Sequence, residues 1–275
     1  RRQPGSAFKP IVYLAAMEAG LTPETRFSDS PINIKGWEPK NYDGKYRGNL
    51  SLKKALATSV NTIAVKVLEK VGRERIIKTA RRLGITSNLA ASPSLALGVS
   101  GVSLLELTSA YAVLANGGNS MWPYGIREIY GSHGSKLYKR QGSGAGQIIK
   151  AQHVSQMNSM MKEVILSGTG KLAQMNVSTY GKTGTSQDFR DAWFVGYTPS
   201  MVVAVWVGFD KGKDLGLSGA KAALPIWADF VVASGHMTSA GMLAPESVVE
   251  VPLCSTSGSI AVAECEATVA AWFPE

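Results

Sequence analysis

The 275 residues carry a net charge of +9, with 45% hydrophobic and 18% charged positions. Such a mixture fills a globular core and fits one large domain or two small ones. No apolar run approaches the roughly 18 residues of a membrane span; the longest, residues 201–209, fits a buried strand, and none follows Arg1 and Arg2 as in a secretory signal. The cations are scattered and no DNA- or RNA-binding motif accompanies them. Nucleic acid is therefore not the expected partner, and a solvated basic surface is the default, compatible with an anionic bilayer or acidic polymer nearby.

Ser6 and Lys9 lie three positions apart, after Pro4-Gly5 and before an apolar run from Ile11 to Ala16. The run predicts a buried helix with Ser6 at or near its start and its end at Gly20. Pro10 suits a first turn, whose amides lack intrahelical acceptors. Positions three apart share a helix face, so Ser6 and Lys9 can meet. A serine hydroxyl needs a base beside it to become a nucleophile, and a lysine with a lowered pKa can be that base. Taken alone, the same serine is only a helix cap.

Residues 21–50, rich in Pro, Asn, Asp and Gly, predict loops. Trp37, Tyr42 and Tyr46 either line a cleft there or, more plainly, pack the loop down. Residues 51–71 predict one helix capped by Ser51, with a stripe of Leu52, Leu56, Val60, Ile63, Ala64 and Val67. Ser59 and Asn61 interrupt that stripe and need polar partners, which a loosened turn aimed into a polar cleft would supply. Further helices are predicted over 73–84, 103–116 and 151–166. Met157, Met160 and Met161 in the last are core filler rather than a redox site.

Residues 126–130 and 136–139 predict a small hairpin. From Thr179 the period becomes that of strands, at 179–184, 192–197 and 202–209, and their short connections imply antiparallel pairing. A helix follows over 224–232. Residues 1–235 thus form the main domain, and 236–275 are an irregular tail or the start of a small appended module. Cys254 and Cys265 are either a disulfide or two free thiols. With His133, His153 and His236 they lack the spacing of a zinc site, so no metal and no cofactor is expected. Helices, then a sheet, then a closing helix make an α+β chain.

Three motifs stand in order: Ser6-x-x-Lys9, Ser59-x-Asn61 and Lys182-Thr183-Gly184. They resemble the motif set of serine β-lactamases and penicillin-binding proteins. Longer stretches resemble the transpeptidase domain of class A penicillin-binding proteins: Gln3-Pro4-Gly5-Ser6-Ala7-Phe8-Lys9-Pro10, Asn41-Tyr42-Asp43-Gly44-Lys45-Tyr46-Arg47-Gly48, Glu106-Leu107-Thr108-Ser109-Ala110-Tyr111-Ala112, Gly181-Lys182-Thr183-Gly184-Thr185-Ser186 and the run from Asp191 to Pro199. Together they cover most of the chain as far as Trp227.

The resemblance implies an antiparallel sheet of five strands flanked by a helical cluster, with two strands supplied before the nucleophile. Those strands are missing here. The chain is therefore expected to be one piece of a longer, membrane-anchored protein on the extracytoplasmic face of a bacterial cell membrane, whose N-terminal part completes the sheet. The implied reaction is D,D-transpeptidation of peptidoglycan stem peptides ending in D-Ala-D-Ala, with β-lactams acylating the same serine. Ser6 would be the nucleophile, Lys9 its base, Ser59 a proton relay, and Asn61 the holder of Lys9 and a substrate carbonyl. Lys182 would depress the Lys9 pKa by like-charge repulsion. Lys182, Thr183 and Thr185 would bind the terminal carboxylate, and Gly184 would leave the strand edge open to the substrate backbone. The oxyanion hole would be the amides of Ser6 and Thr185. A β-lactamase would need a further glutamate for deacylation; Glu106 is the nearest acid in order, and it is expected instead to be a surface or helix-pairing residue. A hydrolytic enzyme and a β-lactam receptor that turns nothing over stand as the alternatives.

Overall fold

The apolar run after Lys9 forms a helix with almost no exposed face. In the computed structural model, which describes residues 1–142, 144–236, 248–254, 261–263, 265 and 267–274, a 3-10 turn over Gly5–Phe8 leads into α1, Lys9–Glu18. Every residue of α1 up to Met17 is buried. A helix apolar all round belongs in the middle of a domain, and four of the other helices pack against this one.

Residues 21–50 are not all loop. β1, Arg26–Asp29, pairs antiparallel with β2, Gly48–Ser51, so that Arg26 faces Ser51 and Asp29 faces Gly48. Two four-residue strands of mostly polar composition carry too little alternation to stand out in sequence. The helix predicted over 51–71 is two helices, α2 over Leu52–Ala57 and α3 over Asn61–Val71. Ser51 caps α2, accepting the Lys54 N–H at 3.3 Å. Between them Ser59 adopts φ 58°, the left-handed region.

α4, Arg73–Arg82, and α5, Leu104–Ala115, follow. The hairpin of β3, Glu128–Tyr130, and β4, Lys136–Lys139, stands where expected. α6, Ala151–Leu166, buries Met157, Met160 and Met161 in the core. The main sheet has three antiparallel strands in the order β5 (Tyr180–Thr185), β6 (Asp191–Tyr197) and β7 (Val202–Gly208). All of β6 is buried, and its alternation splits two cores. Trp193, Val195 and Tyr197 join the large cluster containing α1. Phe194 joins the smaller one under α7, Ala223–Ala233. Helices on one face of an antiparallel sheet and a closing helix on the other give an α+β fold.

The tail expected to be irregular contains a hairpin of β8, Val248–Cys254, and β9, Thr268–Pro274. A disulfide joins Cys254 to Cys265, which decides between the two cysteine alternatives. Residues 237–247, 255–260, 264, 266 and 275 of the tail lie outside the described residues.

Candidate active site

The segment carrying Ser6 lies directly on the sheet. Gly5 has φ 55°, and a Cβ there would collide with the carbonyl of Thr185; a Cβ on Gly184 would collide with the carbonyl of Pro4. Two glycines thus let the two backbones touch. Gly184 thus has a packing role besides the open strand edge expected for it. β5 does have an open edge, since β6 is its only partner among the described residues. The residue must be glycine, however, because the Pro4–Ala7 stretch packs on it. Side chains from outside finish the clamp. Trp193 Nε1 donates to Gln3 O at 2.9 Å, and the Tyr111 hydroxyl donates to Ala7 O at 2.7 Å. The Gly5 N–H donates to Gly98 O at 3.2 Å and the Ala7 N–H to Pro4 O at 3.1 Å. Between them the amide of Ser6 lies in the first turn of the 3-10 segment, next to Thr185.

Ser6 is half-buried and its hydroxyl makes no hydrogen bond among the described residues. The expected meeting of Ser6 and Lys9 therefore does not extend to a hydrogen bond. Lys9 Nζ turns instead to the break between α2 and α3, donating to Ser59 O at 2.7 Å, Ser59 Oγ at 3.3 Å and Asn61 Oδ1 at 2.7 Å. Lys182 reaches the same serine from β5, with Nζ 2.9 Å from Ser59 Oγ and 3.2 Å from Thr183 O. Both lysines have 0% exposure, and neither has an ion pair among the described residues. Burial is the main reason the Lys9 ammonium is disfavoured, pushing its pKa well down, and the charge of Lys182 adds to it. Burial alone lowers Lys182 to about 7. Removing water is thus the larger cause of the shift, and like-charge repulsion the smaller.

The left-handed turn at Ser59 makes this convergence possible. It ends α2 and aims Ser59 and Asn61 at the lysines instead of into an apolar stripe. A non-glycine residue held there costs roughly 1–3 kcal/mol, and the polar contacts around it hold it in place. Thr183 Oγ1 lies 2.6 Å from Thr169 Oγ1, and Thr185 Oγ1 accepts the Gly219 N–H at 3.1 Å. Thr185 therefore keeps its hydroxyl proton for another acceptor.

The description of the penicillin-binding protein transpeptidase domain matches residues 1–231. The chain belongs to this family. It is 40% identical over 259 residues to penicillin-binding protein 1A of Aquifex aeolicus (strain VF5), covering 90% of this chain and 35% of that protein. The crystal structure of penicillin-binding protein 1A from Haemophilus influenzae superposes with a TM-score of 0.89 at 27% identity, covering 99% of this chain and 48% of that one. The penicillin G acyl-enzyme of penicillin-binding protein A from Mycobacterium tuberculosis superposes at 0.75 with 25% identity, covering 85% and 61%. The chain spans about a third of the length of the curated relatives it matches.

Within this transpeptidase domain Glu106 has a structural position. It forms a capping box with Ser103 at the start of α5, and its carboxylate accepts from Thr86 N, Thr86 Oγ1, Ser87 N and Ser87 Oγ at 2.6–2.9 Å. A carboxylate so occupied ties the loop before α5 to that helix. Lys182 has no exposed surface. Sequence reading missed Tyr111, Trp193, Thr169 and Gly98, which hold the nucleophile segment and Thr183. Gly98 left a signal as a glycine closing an apolar 3-10 turn, and Tyr111 and Trp193 lie in two of the stretches that carry the resemblance. Among the described residues no helix is long and apolar enough to cross a membrane.

Proposed function

We propose that this domain cross-links peptidoglycan stem peptides by acyl transfer through Ser6. One observation carries the reading: two buried lysines without counter-charges among the described residues share the hydroxyl of Ser59, and one of them, Lys9, lies three positions from the half-buried Ser6. Burial first, and the charge of Lys182 second, favour the neutral amine of Lys9 over its ammonium. Lys9 takes the proton of Ser6 Oγ as that oxygen attacks the penultimate carbonyl of a D-Ala-D-Ala terminus. The bond to the terminal D-Ala nitrogen breaks, and Ser59 passes the proton to the leaving amine. An acceptor amine on a neighbouring stem peptide then attacks the Ser6 ester, its proton returns to Ser6, and the cross-link is made. The amides of Ser6 and Thr185 face the developing oxyanion; losing one such donor costs about 10²–10³ in rate. Thr183 and Thr185 receive the terminal carboxylate under the field of Lys182. Asn61 Nδ2 already donates to Lys40 O at 2.9 Å, which leaves its second hydrogen for a substrate carbonyl.

β-Lactams mimic the donor and acylate the same serine, a reading supported by the penicillin G acyl-enzyme of the Mycobacterium tuberculosis relative. The position of Glu106 at a helix cap supports transfer to an amine over hydrolysis. β7, paired only with β6 among the described residues, suits the N-terminal part of a longer protein adding strands to the sheet, and such a parent would be anchored at the extracytoplasmic face of the membrane.

Intact-mass spectrometry after addition of penicillin, followed by incubation of the chain with a D-Ala-D-Ala peptide and an acceptor amine, tests the reading. The expected result is a stable adduct on Ser6, absent in Ser6→Ala, and an amide product with the acceptor. An adduct lost within seconds would show a hydrolase. A stable adduct with no turnover of either peptide would show a receptor.

A further inference from the structure

The start of α3 has no cap of its own. Val60 holds the cap position and offers no side-chain acceptor, although the first amides of a buried helix need acceptors from elsewhere. The acceptor comes from upstream in the chain. Asn41 Oδ1 takes the N–H of Asn61 at 2.9 Å and that of Thr62 at 3.4 Å. Asn41 is itself fixed, since its Nδ2 donates to Asp29 Oδ1 and to Lys45 O, both at 2.8 Å. Asp29, 1% exposed, also accepts the Thr62 hydroxyl at 2.5 Å and the Arg47 amide at 2.9 Å, with the Arg47 guanidinium 3.7 Å away.

These contacts end where the candidate active site begins. Asn61, whose amide Asn41 holds, is the acceptor of Lys9, and Ser59, two residues earlier, is the strained residue that both lysines share. We propose that Asn41, backed by Asp29, is a positioning residue for acyl transfer, capping α3 from outside the helix and thereby fixing the Ser59–Asn61 turn. The inference rests on Ser6 being the nucleophile. It explains why an amide is needed at this position. The oxygen must face the helix amides while the nitrogen faces a carboxylate. An Asp at 41 would set two carboxylates against each other, and an aliphatic residue would leave both sides unpaired. A displacement of about 1 Å at such a turn is enough to cost on the order of 10²-fold in rate.

The test is transient kinetics with a fluorescent penicillin, separating the binding constant from the first-order acylation constant, on wild type, Asn41→Ala, Asn41→Asp and the swap Asp29→Asn/Asn41→Asp. The swap exchanges donor and acceptor across the same contact. Asn41→Ala is expected to lower the acylation constant about 10–100-fold with the binding constant nearly unchanged. Asn41→Asp should be impaired, and the swap should regain at least tenfold over it. An Asn41→Ala enzyme with the wild-type acylation constant overturns the proposal. So does a swap no faster than Asn41→Asp, which decides the matter even where Asn41→Ala does not fold. If wild type takes up no label, or Ser6→Ala still does, the acyl-transfer reading fails instead. The capping is then read from the amide proton shifts of Asn61 and Thr62, which must move in Asn41→Asp and return in the swap; shifts that stay put overturn it.

Discussion

The buried lysine pair at Ser59 and the half-buried carboxylate of Glu106 both sit at a joint between elements, yet they are provided for in opposite ways. Lys9 and Lys182 meet hydroxyl, amide and carbonyl oxygens only. Glu106 gathers donors from Thr86, Ser87 and Ser103. Burial works against its ionisation, but the hydrogen bonds from Ser87, Ser103 and Thr86 outweigh it and hold its carboxyl far below the usual range. One cluster leaves its charges unstable and so makes an amine reactive near neutral pH. The other fixes its charge and so ties a loop to a helix. The same fold gives up stability where it needs chemistry and recovers it where it needs a joint.

The largest effect should come from Lys182→Met, which removes one buried cation of roughly the same length. Acylation by penicillin should fall about 10²–10³-fold, the usual range for losing an electrostatic contributor, while the protein becomes more stable by about 1–4 kcal/mol at pH 6. The pH sign follows from the folded value of about 7 against an ordinary 10.5. Between those values the unfolded chain keeps a proton that the folded one has lost, so wild-type stability rises with pH across that window and is lowest below 7. The gain of the variant should therefore shrink from pH 6 to pH 9. Denaturant unfolding at both values measures it, and a variant less stable at pH 6 would break the contrast with Glu106.

Glu106→Gln should do the reverse, with a smaller effect. The neutral amide loses charge-assisted bonds worth about 1–3 kcal/mol, while acylation of the folded protein stays within twofold. The folded pKa is depressed, so the contribution is complete above the ordinary value of 4.5 and fades as the pH falls. Wild type and variant should therefore converge in acid. Loss of acylation out of proportion to unfolding would assign Glu106 to the chemistry.

How much of this contrast could be seen in the sequence differs between its two halves. The three motifs Ser6-x-x-Lys9, Ser59-x-Asn61 and Lys182-Thr183-Gly184 were legible as a resemblance to a known family, since Ser6 and Lys9 taken alone read equally as a helix start. The three-stranded core was legible from its strand periods, with β6 apolar on both faces. What stayed hidden depends on contacts between distant segments. The break at Ser59 leaves the apolar stripe from Leu52 to Val67 intact, so 51–71 read as one helix. β1 and β2 were lost in a polar stretch whose order comes from Asp29 and Asn41 meeting across the fold. The capping role of Glu106 needed both Ser103, three residues before it, and the backbone of Thr86 and Ser87, some twenty residues away.

The smallest effect sharpens the comparison from outside it, through a tie that carries no charge. The Cys254–Cys265 disulfide closes a loop with a separation of 11 residues beside the β8–β9 hairpin. Loop-closure entropy of that size is worth about 3 kcal/mol to the segment it encloses. Pro252, Val262, Ala263 and Ala267, close to the bridge, are exposed, so little of that stability reaches the core. Reduction should speed amide exchange in the hairpin while changing the main unfolding transition by less than about 1 kcal/mol and acylation not at all. β9, however, runs against α6, and α6 lies against β5. A twofold or greater fall in penicillin labelling on reduction would mean that the tail bears on the Lys182 strand, and that the domain and its tail work as one body.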